Sequence, residues 1–386
     1  MALTREHEPT RPASAPSSTA HGALPKLRVM SKPSDRHPSD SRFSDTRGEH
    51  GAASLPGLTI DDYGLAIPDP EGNGFLGDRA SQTAFRALLD EARAKHRIGK
   101  DPFGDTPSSA LSKTDIDRVL LGGPAAAAHV VHVAIESYAT RLAHVVRVFL
   151  ERDEWNGVES ILMGGGMSTS EFGRLGLRRA RRVLRDADVE VKLKRLKADP
   201  DDAALLGWAS LLPEDLATSS EALLAVDVGG TNLRCGLVAH GLAKTDDGSH
   251  ASMLERMHWR HADDEPSRRE AIDRLAGMLN GLIAQARTLR TQLAPFIGIA
   301  IHGMIEADGR ISMGAQNLPG DWEAPFDLPR ELAQRLDPID GTPPRVVLHN
   351  DAVAQGLGER HRMRKTKRWG VMTIGTGLGN ACYTNR

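Results

Sequence analysis

The stretch LLAVDVGGTNLRCGLV, Leu223–Val238, decides how the rest of the chain is read. An apolar run reaches Asp227, a turn follows with Gly229, Gly230, Thr231 and Asn232, and a second apolar run returns. Such a hairpin brings the bare N–H groups of Gly229 and Gly230 against a phosphate, with the Asp227 carboxylate beside it for a metal ion. A second string of this kind, VMTIGTGLGNACYT at Val371–Thr384, carries Gly375, Thr376, Gly377 and Gly379. Together the two hairpins predict a two-lobed clamp on a nucleotide. No G-x-x-x-x-G-K-[ST] loop occurs, and Gly229–Gly230 precedes a strand rather than a helix, which sets the hairpin apart from a dinucleotide-binding turn.

Working outward, 386 residues leave room for two domains with separate cores and a tail. The formal net charge of −2 gives no global attraction to nucleic acid or to an anionic membrane. Cys235 and Cys382 are the two cysteines, too few for a disulfide framework or a four-thiolate zinc site. No apolar run approaches the roughly 20 residues that cross a bilayer. The N-terminal MALTREHEPTRPASAPSS has no apolar signal core, so a cytoplasmic protein is expected.

Residues 1–75, rich in Ser, Pro, Arg, His and Asp without a sustained period, read as a mostly disordered tail. Helical spacing begins near Ser81, through Phe85, Leu88, Leu89 and Ala92. Thr114 and Asp117 suggest a capping box for a short helix ending at Gly122–Gly123. After Pro124, the residues Val131, Ile135, Tyr138, Leu142, Val145 and Phe149 form one buried stripe of a long helix. A strand at Val158–Met163, a glycine turn at Gly164–Gly166 and a helix at Glu171–Arg185 follow, then a strand at Val189–Leu193 and a helix at Asp201–Leu212. Pro213–Glu221 reads as a linker into the first hairpin. Beyond it come a strand at Met253–Trp259, a helix over Arg268–Leu289 and a strand at Phe296–Ile301. The strand Arg345–His349 then leads into a helix opening at Asn350–Asp351. Strands alternating with helices indicate α/β architecture. The expected division is a larger lobe over 76–200, a joining helix and linker over 201–222, a smaller lobe over 223–360, and the second hairpin, 361–386, returning to the larger lobe.

Phosphoryl transfer needs phosphate-holding amides, a magnesium site and a base for the acceptor hydroxyl. The hairpins supply amides, and Thr231 and Thr376 supply hydroxyls. Asp227 is the candidate magnesium ligand, through water, because this ion sheds its hydration reluctantly. Asp351, at a strand end in the string HNDAVAQGLGE, is the candidate base, although Asn and Asp there also suit a helix N-cap. Gly165 and Gly166, after a strand, could receive a nucleoside. Asn317, in QNLPGDW, is a polar loop residue before a Pro-Gly turn. The basic runs Arg178–Arg185, Lys192–Lys197 and Arg360–Arg368 read as solvated faces.

These strings resemble the ROK family of bacterial repressors and sugar kinases. DVGGTN at Asp227–Asn232 is similar to its first phosphate motif, TIGTGLG at Thr373–Gly379 to its second, QNLPGDW to its sugar-contacting loop and HNDAVAQGLGE to its catalytic segment. The resemblance implies the two-lobed actin/hexokinase-like (ribonuclease H-like) fold and Mg2+-dependent transfer from ATP to a hexose or N-acetylhexosamine. It also implies Asp351 as base, Asn317 and Asn350 on the sugar, and Gly303 beside it. The order departs from the family: Ser112–Leu212 resembles the family's C-terminal portion yet precedes the first phosphate motif, which implies a circular permutation closed through Pro213–Glu221. The family's Cys-rich zinc motif is absent, so no structural zinc is expected. Its Glu-x-Gly-His string survives only as Arg47-Gly48-Glu49-His50, with Glu and His adjacent. The partner expected is a small sugar, with no nucleic acid and no membrane; a homodimer is left open. The rival readings are a non-catalytic sugar sensor and a repressor of the same family. The latter needs a helix-turn-helix, for which the first 75 residues offer no periodicity.

Overall fold

The computed structural model describes residues 45–72, 74–96, 100–245 and 248–386, and these carry everything that follows. They open on a hairpin of β1 (Ser54–Leu55) and β2 (Leu58–Tyr63), turned at Gly57 with φ of +71°. Helix α1 (Gln82–Ala94) starts where the Ser81 hydroxyl accepts the Ala84 N–H, and it buries Phe85, Leu88, Leu89 and Ala92. Helices α2 (Lys113–Gly122) and α3 (Ala125–Leu150) follow, and α3 buries the stripe from Val131 to Phe149. The capping box of α2 lies two residues earlier than the spacing suggested, between Ser112 and Asp115. Thr114 is already helical, and Asp117 caps a different helix: its carboxylate accepts the N–H groups of Glu171 and Phe172, each at 2.9 Å.

Next come β3 (Ser160–Gly164), α4 (Glu171–Asp186) and β4 (Lys192–Arg195), the last starting three residues later than expected. Helix α5 (Ala203–Gly207) is shorter than expected because it tightens into a 3-10 turn at Trp208–Leu211. The presumed linker carries a short exposed helix, α6 (Glu214–Ser219). Then follow β5 (Ala222–Val228), β6 (Leu233–Ala239), β7 (Ser252–Trp259), α7 (Arg268–Leu289) and β8 (Leu293–Ile301). A small ladder of β9 (Met304–Ile305) and β10 (Ile311–Met313) and helix α8 (Leu328–Ala333) precede β11 (Arg345–Asn350). The remainder is α9 (Asp351–Leu357), α10 (Arg360–Met363), β12 (Arg368–Ile374) and β13 (Leu378–Asn385).

The architecture is mixed α/β with two principal sheets of like design. One has the order β11-β8-β5-β6-β7, in which β5, β6 and β7 are antiparallel and β8 and β11 extend the sheet in parallel. The other runs β1-β2-β13-β12-β3-β4, with β12, β13 and β2 antiparallel and β3 and β4 parallel. Each therefore contains a glycine-turned hairpin, a third antiparallel strand on one side and two parallel strands on the other, and β1 adds a sixth, antiparallel edge strand to the second. The difference lies in chain order: β7 follows β6, whereas β2 comes long before β13. Asn385, at the end of β13, is the register partner of Leu58, at the start of β2. The Arg386 N–H then donates to Gly57 O at 3.0 Å.

This pairing corrects the expected tail. Residues 1–44 lie outside the described residues, but the disorder expected for 45–75 is replaced by β1, β2 and a 3-10 turn entering at Leu76. The strand LTIDDY carries two aspartates and no clear alternation, so its pairing with the distant β13 rather than local pattern makes it a strand.

Helices α1 to α4 cover one face of the six-stranded sheet that contains β12 and β13, and α7 with α8 covers one face of the five-stranded sheet that contains β5 and β6. Between the sheets lies a third core containing Leu205, Trp208, Phe296, Val353, Trp369 and Tyr383. Here α5 crosses α9 so closely that a Cβ on Gly207 would fall 1.9 Å from Ala354 O. Glycine is required at that crossing because the backbones touch. The consequence for the site is a fixed wedge: α9 begins at Asp351 and is clamped along its length.

Candidate active site

Two closures of the same kind form the glycine turns. The Gly229 N–H donates to Asn232 O, and the Gly375 N–H donates to Gly377 O, both at 2.9 Å. These bonds do not consume the amides of Gly230 and Thr231, or of Thr376 and Gly377. A Cβ on Gly375 would meet only Gly377 O at 3.8 Å, and one on Gly377 only Asp78 Oδ1 at 3.5 Å, so packing does not dictate glycine there. Bare backbone facing open space fits the close approach of an anion. The second turn is anchored from behind, since the Gln82 N–H donates to Gly375 O and the Thr83 hydroxyl to Thr376 O.

The third glycine segment has a packing role as well. Gly165 leaves β3 at φ +80°, and a Cβ there would land 2.4 Å from Ile374 O, so this turn lies directly against the end of β12. Gly166 faces Gln82 and Lys113, and the Lys113 ammonium donates to Gly166 O at 2.8 Å.

The acidic residues sit at strand ends. Asp227, near the end of β5, is the register partner of Arg234 on β6. The Arg234 guanidinium donates to Asp227 Oδ2 at 3.0 Å and reaches Asp201 Oδ1 at 2.7 Å. Burial raises the Asp227 carboxyl, the Arg234 charge opposes this and the nearby Asp351 charge adds to it, leaving a value of about 6. Asp351 follows β11 directly and is buried. One of its oxygens accepts the Ala352 N–H at 2.9 Å, and the other meets His302 Nδ1 at 2.9 Å.

His302 was absent from the sequence reading. It stands one residue beyond β8, in GIAIHGMIE, half-buried between Asp351 and the first hairpin. Burial works to lower its imidazole, but the Asp351 charge and hydrogen bond, with Asp227 behind them, outweigh burial and lift it to about 9. For Asp351 burial acts upward and the His302 cation outweighs it, holding the carboxyl below its ordinary value. At neutral pH the pair is an imidazolium and a carboxylate. The available signal was position: a polar residue just past the carboxyl end of a buried parallel strand, where α/β sheets bind ligands.

The neighbouring residues divide between scaffold and open surface. The Asn350 side chain accepts the Ala352 N–H at 2.9 Å and donates to Gly303 O at 3.1 Å, so it caps α9 and ties it to the loop after β8. Gly303 adopts φ +106° with Met313 O 2.4 Å from a would-be Cβ. Asn317 is exposed, and its Cβ lies 3.2 Å from the Cβ position of Gly230, so QNLPG touches the first glycine turn. On the far side, a Cβ on Gly379 would sit 2.4 Å from Thr373 Oγ1 and 3.8 Å from Asp351 Oδ1. Asp351 is thereby bordered by the second hairpin, and through His302 and Asp227 by the first.

Residues 50–52 brace this arrangement. Leu348 N–H donates to His50 Nδ1 at 3.1 Å, and the Gly51 N–H donates to Leu348 O at 3.0 Å. His349 bonds Ala52 O through Nε2 and accepts the Asn350 N–H at Nδ1, and burial depresses its imidazole to about 4. That neutral histidine locks the strand end from which Asp351 emerges. Glu49 is exposed.

Among the described residues no group of three His, Cys, Asp or Glu side chains is placed to hold a metal ion. A single carboxylate, Asp227, with Arg234 on one oxygen, suits an ion that keeps most of its water and takes further ligands from phosphates. Among the described residues no helix is long and apolar enough to cross a membrane.

No family model matches the chain, and no curated protein matches it. Solved structures do. A Cytophaga hutchinsonii protein described as a candidate sugar kinase aligns at 17% identity and TM-score 0.33, over 42% of this chain and 48% of that one. A Listeria monocytogenes protein described as a candidate N-acetylmannosamine kinase aligns at 20% identity and TM-score 0.30, over 42% and 47%. An exopolyphosphatase from Cytophaga hutchinsonii aligns at 13% identity and TM-score 0.25, over 43% and 51%. The chain thus spans about half the length of the solved structures it matches.

Proposed function

We propose that the chain is a sugar kinase that transfers a phosphoryl group from ATP to a hydroxyl of a hexose or N-acetylhexosamine, with Asp351 as general base. The observation that carries this reading is the ionised, buried Asp351 carboxylate, bordered by the second hairpin at Gly379 and linked through His302 and Asp227 to the first. The amides of Gly230, Thr231, Thr376 and Gly377 would hold the phosphates, with the Thr231 and Thr376 hydroxyls beside them. Asn232 would shape the first turn, where its side chain meets His258 Nε2 at 2.9 Å. Asp227 would hold magnesium through water, and Gly165 and Gly166 would flank the nucleoside. ATP–magnesium supplies the activated phosphoryl group and neutralises its charge. Asp351 accepts the proton of the attacking sugar hydroxyl, and His302 fixes the carboxylate that receives it. Asn317 and the loop at Gly303 would line the acceptor side, and Asn350 acts from behind by holding α9 to that loop. The sheet order supports reading the chain as a circular permutant in which β2 completes the sheet that β12 and β13 begin.

The test is ADP release measured across a panel of hexoses and N-acetylhexosamines, with Asp351→Asn alongside. Sugar-dependent release by the native protein is expected, and its loss by ~10²–10⁴-fold in the variant. Silence on every sugar, with nucleotide still bound, selects a sensor instead. One observation favours that second reading: both carboxylates the reaction needs are already engaged, Asp227 by Arg234 and Asp351 by His302.

A further inference from the structure

Two basic runs of the sequence, on α4 and on β4, converge on one cavity. It has a volume of about 860 Å³ and opens along the outer edge of β4, between α4 and α10. Arg174, Arg178 and Arg181 enter from the helix, and Lys194, Arg195 and Lys197 from the strand and the turn after it. None of Asp227, Asp351, His302 or the two glycine hairpins lines it. Lysine on an edge strand protects against stray pairing, but that need does not account for three arginines arriving from a second element.

The charges are poorly balanced from within. The acidic residues on the wall are Asp199 and Glu359. Glu359 is consumed: its carboxylate accepts the N–H groups of Lys197 and Ala198 at 2.7 and 2.6 Å and pairs with Arg362 at 2.8 Å. Among the described residues, Arg178, Lys194, Arg195 and Lys197 have no carboxylate partner. Arg181 is oriented in advance, because its Nε donates to Leu193 O at 2.8 Å. Its guanidinium is held below its ordinary value by burial and by the like charges of Arg178 and Arg195. Gathering like charges into one concavity costs free energy that a bound anion would recover.

The wall also indicates the class of anion. A volume of this size suits a small molecule. No aromatic side chain lines the cavity, so it lacks the stacking platforms on which single-stranded nucleic acid is held. Arginine forks pair bidentately with phosphate oxygens. We propose that the cavity between α4, β4 and α10 is a second anion site that binds a compact polyphosphoryl ligand, separate from the two glycine hairpins although Ser168 and Thr169, which bond Gly165 O and Gly166 O, form part of its wall. The inference stands whether or not the chain is a kinase.

Calorimetric titration of the full chain with inorganic tripolyphosphate tests it, in parallel with sulfate and a short single-stranded oligonucleotide. Tripolyphosphate should bind, and weaken about tenfold or more in the combined Arg178→Ser, Lys194→Ser and Lys197→Ser variant. The single reversal Arg178→Glu should weaken it in the same direction if the combined variant fails to fold. ATP binding should survive both, and tripolyphosphate should still bind when the protein is saturated with a non-hydrolysable ATP analogue. Unchanged tripolyphosphate affinity in the variants overturns the proposal. So does sulfate binding as tightly as tripolyphosphate, tighter binding of the oligonucleotide, or a parallel loss of ATP binding, which would make the cavity part of the nucleotide site.

Discussion

The distance of 2.9 Å between His302 Nδ1 and Asp351 Oδ2 fixes both the charge of the candidate base and its direction. The pairing has a consequence for stability. The folded His302 value of about 9 lies above the model-compound 6.5, so the native state binds more protons than the unfolded chain between those values. Its contribution is fully present below about pH 6.5 and is lost as pH rises through about 9. Thermal melts from neutral to alkaline pH should therefore show a decline that flattens in His302→Gln; an unchanged decline would remove the ion pair from the account. Arg234 acts on Asp227 in the same manner, so Arg234→Leu should push that carboxyl further up and weaken nucleotide binding at pH below neutrality, with binding unaffected by the change counting against Asp227. The places of Asp227 and Asp351 were legible because each stands at the end of an apolar strand, one before a glycine turn and one at a helix start. Arg234 could have been read too, since a turn over 229–232 places it opposite Asp227. His302 could not be distinguished by composition alone, because a lone histidine within an apolar string looks like a packed core residue.

At the level of elements, the wedge of α5 and α9 is what keeps Asp351 in place. Ala at Gly207 would drive a methyl into Ala354 O, where the available distance is 1.9 Å. Gly207→Ala should cost about 1–3 kcal/mol of stability and lower turnover with it, readable in denaturant unfolding; a neutral effect would show that the crossing is looser than described. The long helices α3 and α7 were legible from their periodicity, since each buries one stripe against one sheet. The strands β1 and β2 were not. The partner of β2, β13, lies more than 300 residues away in sequence, Asp61 and Asp62 interrupt any alternation, and β1 is two residues long and meets only β2. Pairing at that separation leaves no local trace. The cost of missing them extends to the site, because His50, Gly51 and Ala52 brace the strand end that presents Asp351.

On the scale of the whole molecule, the five-stranded and six-stranded sheets face a shared core, and in the six-stranded sheet the neighbours β2 and β13 come from opposite ends of the described chain. A relinked chain tests that description. Running from Ala222 to Arg386, then through a short flexible linker into Asp45 and on to Leu212, it should fold cooperatively with the same core, because Thr46 bonds Ser54, and Ser54 bonds Arg386. Failure to unfold cooperatively would mean that the α6 connection does more than join Leu212 to β5. Alternation of strands and helices was enough to predict the α/β class, whereas the completion of the six-stranded sheet depended on a pairing between the two ends of the described chain. The claim beneath all of this is that both glycine turns serve one triphosphate. A crystal structure with magnesium and a non-hydrolysable ATP analogue measures it directly: the phosphates should contact the Gly230–Thr231 and Thr376–Gly377 amides together, with the terminal group towards Asp351. An analogue seated on one turn only, or bound elsewhere with Asp351 facing empty solvent, would contradict it.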